Sequence, residues 1–316
     1  MKDDDDGEAR HSRRDALKCM AWAGTGLLWI LSGGIAGGAL LPDAAAAGRP
    51  GRSASLSFVQ ISDSHIGFDR AANPDPAATL RATVAQIQAL AVPPAFVVHT
   101  GDITHLSQDR EFDDARQILS ALSMPVHFVP GEHDVQDEGT GAAYLRHFGA
   151  GTQGHGWYSF DANGTHFVAL VNVLELSAGG GLGHLGAEQL AWLRNDLAGH
   201  GTSTPIVVLG HMPMWNLYPE WGWGTDDSAQ ALALLNRFGS VTVLNGHIHQ
   251  IQQKVEGHVT FHTARSTAYP QPAPGAAPSP GPLAVPAERL RSMLGLTSVR
   301  VASRTGPLAL VDSTLA

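Results

Sequence analysis

Five short stretches of the chain place carboxylate and imidazole side chains at spacings that suit metal coordination. They read Asp-x-His at 63–65, Gly-Asp at 101–102, Gly-Glu-His-Asp at 131–134, Gly-His at 210–211 and Gly-His-x-His at 246–249. Oxygen and imidazole nitrogen ligands, without sulfur, suit first-row divalent ions. The sequence therefore predicts a site for one or two such ions. The candidate ligands are Asp63, His65, Asp102, Glu132, His211, His247 and His249.

Cysteine is excluded as a ligand, because the single cysteine, Cys19, lies in an N-terminal segment that is assigned below to an export signal. The rest of the chain therefore has no disulfide and no thiolate ligand. A bound ion must be held by histidine, carboxylate and amide groups.

Each of the five stretches follows a short apolar run typical of a buried strand. The runs are LSFVQIS, AFVVHT, PVHFVP, PIVVLG and VTVLNG. Side chains at the carboxyl ends of strands in open α/β sheets converge on one crevice, so we expect the candidate ligands to meet there. Glycine permits a sharp turn and a close backbone approach. Glycines directly precede four of the ligand positions: Gly101, Gly131, Gly210 and Gly246.

Strand-like runs alternate with helical segments from Leu56 onward. Leu80, Val84 and Ile87 recur at helical spacing, and DREFDDARQILSAL has the same periodicity. Antiparallel pairs follow, including a predicted hairpin formed by QQKVEG and HVTFHTA. This order predicts an α/β fold with two stacked mixed β-sheets flanked by helices.

The ordered set D-x-H, G-D, G-x-H-D, G-H and G-H-x-H resembles the calcineurin-like metallophosphoesterases. The pattern is most similar to the branch of bacterial cyclic-nucleotide phosphodiesterases, and it covers about residues 55–265. The resemblance implies a four-layer α-β-β-α sandwich. It also implies two divalent metal ions (Mn, Fe or Zn) as cofactors and a small-molecule phosphate ester as substrate.

The same resemblance implies a distribution of the ligands. The first ion would be held by Asp63, His65 and His249, while Asp102 would bridge both ions. The second ion would take Glu132, His211 and His247. A hydroxide between the metals would attack phosphorus, and the ions would neutralise the phosphoryl oxygens.

Two further residues acquire catalytic roles from the resemblance. His133 would lie near the leaving oxygen, as a proton donor or transition-state stabiliser. Asp134 would fix the orientation of the His133 ring, as a carboxylate beside a histidine commonly does.

Glu132 departs from the family pattern, which has a neutral Asn at this position. The additional charge would weaken the Lewis acidity of the second ion and would repel a phosphate dianion more than a diester monoanion. Three alternatives stay open: Glu132 turns away from a weak or empty second site, the centre performs Fe or Mn redox chemistry, or the chain is a non-catalytic metal-binding protein. The hypothesis that we adopt is a phosphoesterase that favours a diester or nucleotide-type substrate.

Residues 1–47 have the features of an export signal. The basic SRRDALK precedes the uncharged segment Met20–Leu41 and a small-residue end, and it resembles a twin-arginine signal. The interpretation predicts the twin-arginine translocation machinery as a partner, a periplasmic or secreted location and no stable membrane span after cleavage. An uncleaved membrane anchor is the alternative, because the apolar segment is long enough to span a bilayer.

The remaining chain is predicted to comprise a metallophosphoesterase domain at 48–268, a Pro/Gly/Ala-rich loop at 269–282 and a C-terminal extension at 283–316 that closes the domain. The net charge of −9 argues against a nucleic-acid-binding surface. The glycine-rich residues 177–184 are interpreted as a rim of the site. Three tryptophans form either an aromatic wall for a flat substrate group or a packed loop: Trp215, Trp221 and Trp223. Three lone histidines are interpreted as structural: His99, His127 and His166.

Overall fold

Eleven strands and six α-helices form the part of the chain described by the computed structural model, residues 56–137, 140–176, 181–301 and 308–316. The predicted export signal lies outside these residues. The strands are β1 (Ser57–Ile61), β2 (Val97–His99), β3 (Val126–Phe128), β4 (Tyr158–Ala162), β5 (Thr165–Ala169), β6 (Ile206–Leu209), β7 (Val241–Asn245), β8 (Gln253–Glu256), β9 (Val259–Thr263), β10 (Gly295–Arg300) and β11 (Ala309–Thr314). The helices are α1 (Pro76–Gln88), α2 (Asp109–Leu119), α3 (Ala142–Phe148), α4 (Gly186–Ala198), α5 (Ser228–Leu235) and α6 (Ala287–Met293).

The strands form two mixed sheets. The first has the order β11-β10-β1-β2-β3, and the second has the order β4-β5-β6-β7-β9-β8. β1, β2 and β3 are parallel in the first sheet, as are β5, β6, β7 and β9 in the second. The carboxyl ends of these parallel strands carry the five ligand stretches.

Side-chain alternation along the strands explains the layers. Phe58 of β1 packs with Phe167 and Val207 of the second sheet, so its face of β1 lies between the sheets. Val59 and Ile61, on the opposite face, pack in one cluster with residues of α1 and α2. The outer face of the second sheet is covered by α4 and α5 in the same way. The predicted fold class, two stacked mixed sheets flanked by helices, is confirmed.

Residues 283–316 contribute α6 and the last two strands of the first sheet. β10 pairs antiparallel with β1, and β11 pairs with β10. A buried histidine of the second sheet, His262, places its Nε2 3.1 Å from Asp312 Oδ1 of β11. This contact ties the C-terminal strands to the opposite sheet.

None of the helices among the described residues is long and apolar enough to cross a membrane.

Candidate dinuclear metal centre

Five of the seven candidate ligands adopt a left-handed backbone conformation where they leave their strands. Their φ angles are 54° at Asp63, 41° at His65, 52° at Asp102, 70° at His247 and 54° at His249. Residues other than glycine adopt this conformation at a cost and keep it where the surroundings impose it. Neighbouring strand ends supply that constraint, since the Asp63 and His65 amides donate to the carbonyls of Gly101 and Asp102, each at 2.9 Å.

Glycine is required at three positions beside the ligands. A Cβ on Gly246 would lie 2.0 Å from Ser62 Oγ and 2.8 Å from Asp63 Oδ2. Gly101 has φ 97°, and a Cβ there would lie 2.3 Å from His211 Nδ1. A Cβ on Gly131 would lie 2.1 Å from Asp102 Oδ1 and 2.2 Å from the Asp102 backbone nitrogen. The expectation of a close approach is not met at Gly210, where the nearest atom would be 3.5 Å away, an ordinary contact.

The first group of candidate ligands comprises Asp63, His65, Asp102 and His249, all buried, with ligand atoms near enough to share one ion. His249 Nε2 lies 3.3 Å from Asp63 Oδ1 and 3.3 Å from His65 Nε2. His65 Nε2 lies 3.4 Å from Asp102 Oδ2. The set provides two imidazole nitrogens and two carboxylates around one point.

The second group comprises Glu132, His211 and His247. The carboxylate of Glu132 spans the two rings, with Oε2 2.8 Å from His211 Nε2 and Oε1 2.8 Å from His247 Nδ1. Glu132 therefore turns toward the site, not away from it. Asp102 Oδ2 is 3.4 Å from His211 Nε2, the same distance as from His65 Nε2, so this oxygen lies between the two groups.

Several buried ligand atoms have no hydrogen-bond partner among the described residues. Glu132 Oε2 and His211 Nε2 are close but are not aligned for a hydrogen bond, and each lacks a partner. Asp63 Oδ2 and both ring nitrogens of His247 are also without one. Burying unpaired polar atoms is costly, and atoms that converge without bonding one another are the geometry that a cation satisfies. The residues fit two divalent ions.

In the second group, Glu132 and His211 each stabilise the charged form of the other. Burial would raise the pKa of Glu132, but His247 and His211 hold it well below its usual value. Burial would lower the pKa of His211, and the carboxylates of Asp102 and Glu132 raise it well above the normal range. The carboxylates thus favour positive charge at His211, which a bound cation would also supply.

The nitrogen opposite the ligand atom is fixed on two of the histidines. His211 Nδ1 donates to the Thr100 carbonyl at 2.6 Å, and His249 Nδ1 donates to the Tyr269 carbonyl at 2.6 Å. Donation from Nδ1 leaves Nε2 unprotonated and directed at the centre, which is the usual arrangement of metal-ligating histidines.

His133 lies at the edge of the same centre. Its backbone amide donates to Asp102 Oδ1 at 2.9 Å, and its Nδ1 donates to the His105 carbonyl at 2.8 Å. Burial would lower its pKa, but the charges of Asp102 and Glu132 and the His105 carbonyl raise it above the usual value. A protonated imidazole beside the centre is suited to donating a proton.

Asp134 does not hold the ring of His133, so that prediction is wrong. Its Oδ1 accepts from the amide and hydroxyl of Thr104, each at 2.8 Å, and its Oδ2 accepts from the amides of Ile103 and Gly131 at 3.0 and 2.9 Å. Burial and the nearby Asp102 raise the pKa of Asp134 to about 7. The carboxylate joins the loop after β2 to the loop after β3, because its two oxygens accept from donors in both loops.

Sequence reasoning missed a segment after β9 that supports the ligands. Ser266 Oγ donates to the Asp63 carbonyl at 2.8 Å, and Gln271 Nε2 donates to the His247 carbonyl at 3.1 Å. The ring of Tyr269, the first residue of the predicted Pro/Gly/Ala-rich loop, is buried and stacks on His65 at 4.7 Å. The position of STAYP directly after a strand was the available signal.

Two of the three tryptophans and the three lone histidines have structural contacts. Trp223 is fully buried and Trp215 packs in the core beside Phe261, which favours the packed-loop alternative for these two. His99 pairs with Ser64, His127 stacks on Phe160, and His166 lies between two aspartates.

Comparison with known proteins agrees with this geometry. Residues 56–251 match the model of the family described as calcineurin-like phosphoesterase. The chain is 30% identical over 196 residues to a glycerophosphodiester phosphodiesterase of Enterobacter lignolyticus, covering 60% of this chain and 68% of that protein. It is 25% identical over 230 residues to a probable cyclic nucleotide phosphodiesterase of Rhodopseudomonas palustris, covering 68% of this chain and 79% of that protein.

A solved structure of a dimetal phosphatase from Danio rerio has the same fold. It aligns with a TM-score of 0.54 and 16% identity over 83% of this chain and 99% of that chain. The family model spans more than half of the sequence and includes all seven candidate ligands. The chain therefore belongs to the calcineurin-like phosphoesterase family and is a hydrolase that acts on ester bonds.

Proposed function

We propose that the protein is a dinuclear-metal phosphodiesterase in which Asp102 is shared between two divalent ions, of Mn, Fe or Zn. The observation that carries the proposal is the position of Asp102 Oδ2, 3.4 Å from a histidine of each ligand group. Two ions bound there would supply Lewis acidity for the phosphoryl oxygens and would activate a water molecule for attack at phosphorus.

The protein residues position and protonate the substrate. The interlocked strand ends keep the ligand oxygens and nitrogens in place before the substrate binds, so little reorganisation accompanies the reaction. His133 is assigned as the proton donor to the leaving oxygen as the phosphorus–oxygen bond breaks. The donation from His133 Nδ1 to the His105 carbonyl makes Nε2 the nitrogen that is available for this transfer.

A preference for diesters follows from the charge of Glu132. With Asp63, Asp102 and Glu132 ionised, these carboxylates and two divalent ions sum to about +1, whereas a neutral residue at 132 would give about +2. A diester carries one negative charge and a monoester carries up to two at neutral pH. The less positive centre therefore favours the diester. The phosphodiesterase names of the two relatives support the same class of substrate.

The proposal is tested with Mn²⁺-loaded protein on bis(p-nitrophenyl) phosphate and p-nitrophenyl phosphate. The expected result is a kcat/KM for the diester at least about fivefold above that for the monoester, which corresponds to about 1 kcal/mol. Equal values, or a preference for the monoester, would contradict the diester assignment. The absence of metal-dependent hydrolysis of either compound would contradict the function.

Export through a twin-arginine pathway is also part of the proposal, supported by SRRDALK ahead of an apolar segment. That route carries folded proteins, so the centre could be loaded before export. Replacing both Arg13 and Arg14 with lysine keeps the charge and is expected to retain the protein in the cytoplasm. Unchanged levels outside the cytoplasm would contradict the twin-arginine assignment.

A further inference from the structure

His105 is a histidine of the centre to which no role has yet been given. It lies three residues after Asp102 in the sequence GDITH and is half-buried. Its Nδ1 is 3.5 Å from Nδ1 of His65, within hydrogen-bond geometry. Its ring is parallel to that of His133, with 4.8 Å between centroids and 15° between planes, and its carbonyl accepts from His133 Nδ1.

The contact with His65 differs from those of the other buried ligand histidines. His211 and His249 each donate Nδ1–H to a backbone carbonyl, an acceptor that no side-chain substitution removes. In the described part of the chain, the hydrogen-bond partner of His65 Nδ1 is the imidazole of His105. For Nε2 of His65 to face the first group, Nδ1 must carry the proton, and His105 Nδ1 must accept it.

The contact with His133 adds a second function for the same residue. The His105 carbonyl fixes which nitrogen of His133 carries the proton, and the stacked ring restricts rotation of the His133 side chain. Phe68 in turn packs against the His105 ring at 5.1 Å, in an edge-on arrangement. His105 is thus held by its own neighbour while it contacts both an expected ligand and the expected proton donor.

We propose that His105 is a positioning residue that acts on both His65 and His133. It sets the tautomer of His65 for the first ion and the orientation of the His133 ring for proton donation. The proposal rests on the proposed function for its second half. Its first half concerns metal binding and can be tested without any substrate.

Two substitutions separate the two contacts. His105→Phe keeps a flat ring against His133 and removes the acceptor for His65. His105→Asn removes the ring, but its amide oxygen occupies about the position of the histidine Nδ1 and can accept from His65. Because each variant loses one contact and keeps the other, each is the control for the other.

The metal test uses Zn²⁺ in competition with a chromogenic chelator, on full-length protein stripped of ions. His105→Phe is expected to weaken the tighter of the two binding events at least about tenfold, the usual range for loss of a supporting contact, while His105→Asn stays within about threefold of wild type. Equal affinity in wild type and His105→Phe, or equal weakening in both variants, would overturn the role toward His65.

Thermal unfolding with excess EDTA checks that the variants are folded, and we expect melting temperatures close to that of wild type. If His105→Phe does not fold, His105→Ala replaces it in the same comparison with His105→Asn, because it removes the acceptor without adding volume.

The kinetic test compares a diester with a good leaving group, bis(p-nitrophenyl) phosphate, and one with a poorer leaving group, diphenyl phosphate. A poor leaving group depends more on a proton donor. In fully loaded His105→Asn, release of phenol from diphenyl phosphate should fall at least about tenfold more than release of nitrophenol from bis(p-nitrophenyl) phosphate, with KM unchanged. Equal losses would overturn the role toward His133. If wild type hydrolyses neither ester, the proposed function fails and the zinc test still decides the role toward His65.

Discussion

The two ligand groups of the centre differ in burial and in backbone conformation. All four residues of the first group have left-handed φ angles, whereas in the second group only His247 does. The side chains of Asp63, His65 and His249 are at most 1% exposed, but that of Glu132 is 22% exposed and that of His247 is 11% exposed.

The difference indicates that the first group is fixed by the fold and that the second is the adjustable side of the centre. Holding four residues in a costly conformation requires neighbours that impose it, and these neighbours also fix the ligand atoms. In the second group His211 is fully buried, but His247 and Glu132 lie nearer to solvent, and Glu132 departs from the family pattern. We therefore expect the ions to bind in sequence, the first group more tightly.

The largest effect is expected from Asp102→Ala, because this carboxylate lies between both groups. Its loss should remove most of the metal content of the protein, more than the loss of any single histidine. Elemental analysis after dialysis measures the content, with the exposed Asp114→Ala on α2 as a charge-matched control. Full metal content in Asp102→Ala would refute the shared-ligand assignment.

A smaller loss is expected from Gly131→Ala, which tests how tightly the fold holds Asp102. A Cβ there would meet the Asp102 carboxylate and backbone at 2.1 and 2.2 Å, so the loop must move. Overpacking of this kind costs about 1–3 kcal/mol. Metal affinity and melting temperature should both fall, while Gly210→Ala, with 3.5 Å of space, should leave both near wild type. Similar behaviour of the two alanine variants would mean that the loop is not constrained.

The asymmetry itself is tested with His249→Ala and His247→Ala. Each removes one histidine, the first from the buried group and the second from the more open group. Titration with Mn²⁺ should show that His249→Ala loses the higher-affinity binding step and that His247→Ala loses the lower-affinity one. Loss of the higher-affinity binding step in both variants would contradict the expected difference in ion affinity between the two groups.

The smallest effect concerns substrate choice and comes from Glu132→Asn. At about 4 Å and an effective dielectric near 20, a unit charge is worth about 4 kcal/mol, before solvent and ions offset most of it. If about a quarter remains, the kcat/KM for a monoester should rise about fivefold relative to that for a diester. Assays at matched metal content measure the ratio, with the exposed Glu220→Asn as control. An unchanged ratio would mean that Glu132 does not set the preference.

The sequence predicted the two-sheet fold and the ligand stretches because strand ends and their glycines have local signatures. The support of His249 by the Tyr269 carbonyl could not be predicted, since it depends on where the chain goes after β9. Asp134 was misjudged for a similar reason: its partners Ile103 and Thr104 belong to another loop, and adjacency to His133 in sequence was a poor guide to contact. His105 was missed because a lone histidine has no pattern until the fold brings it to His65.

The most direct test of the shared Asp102 is a crystal structure of the Mn²⁺-loaded protein with anomalous diffraction measured at the manganese edge. We expect two anomalous peaks about 3.5–4 Å apart, the usual separation in two-metal hydrolases, with Asp102 between them and Glu132 beside the second. A single peak, or a second peak away from Glu132 and His247, would contradict this expectation.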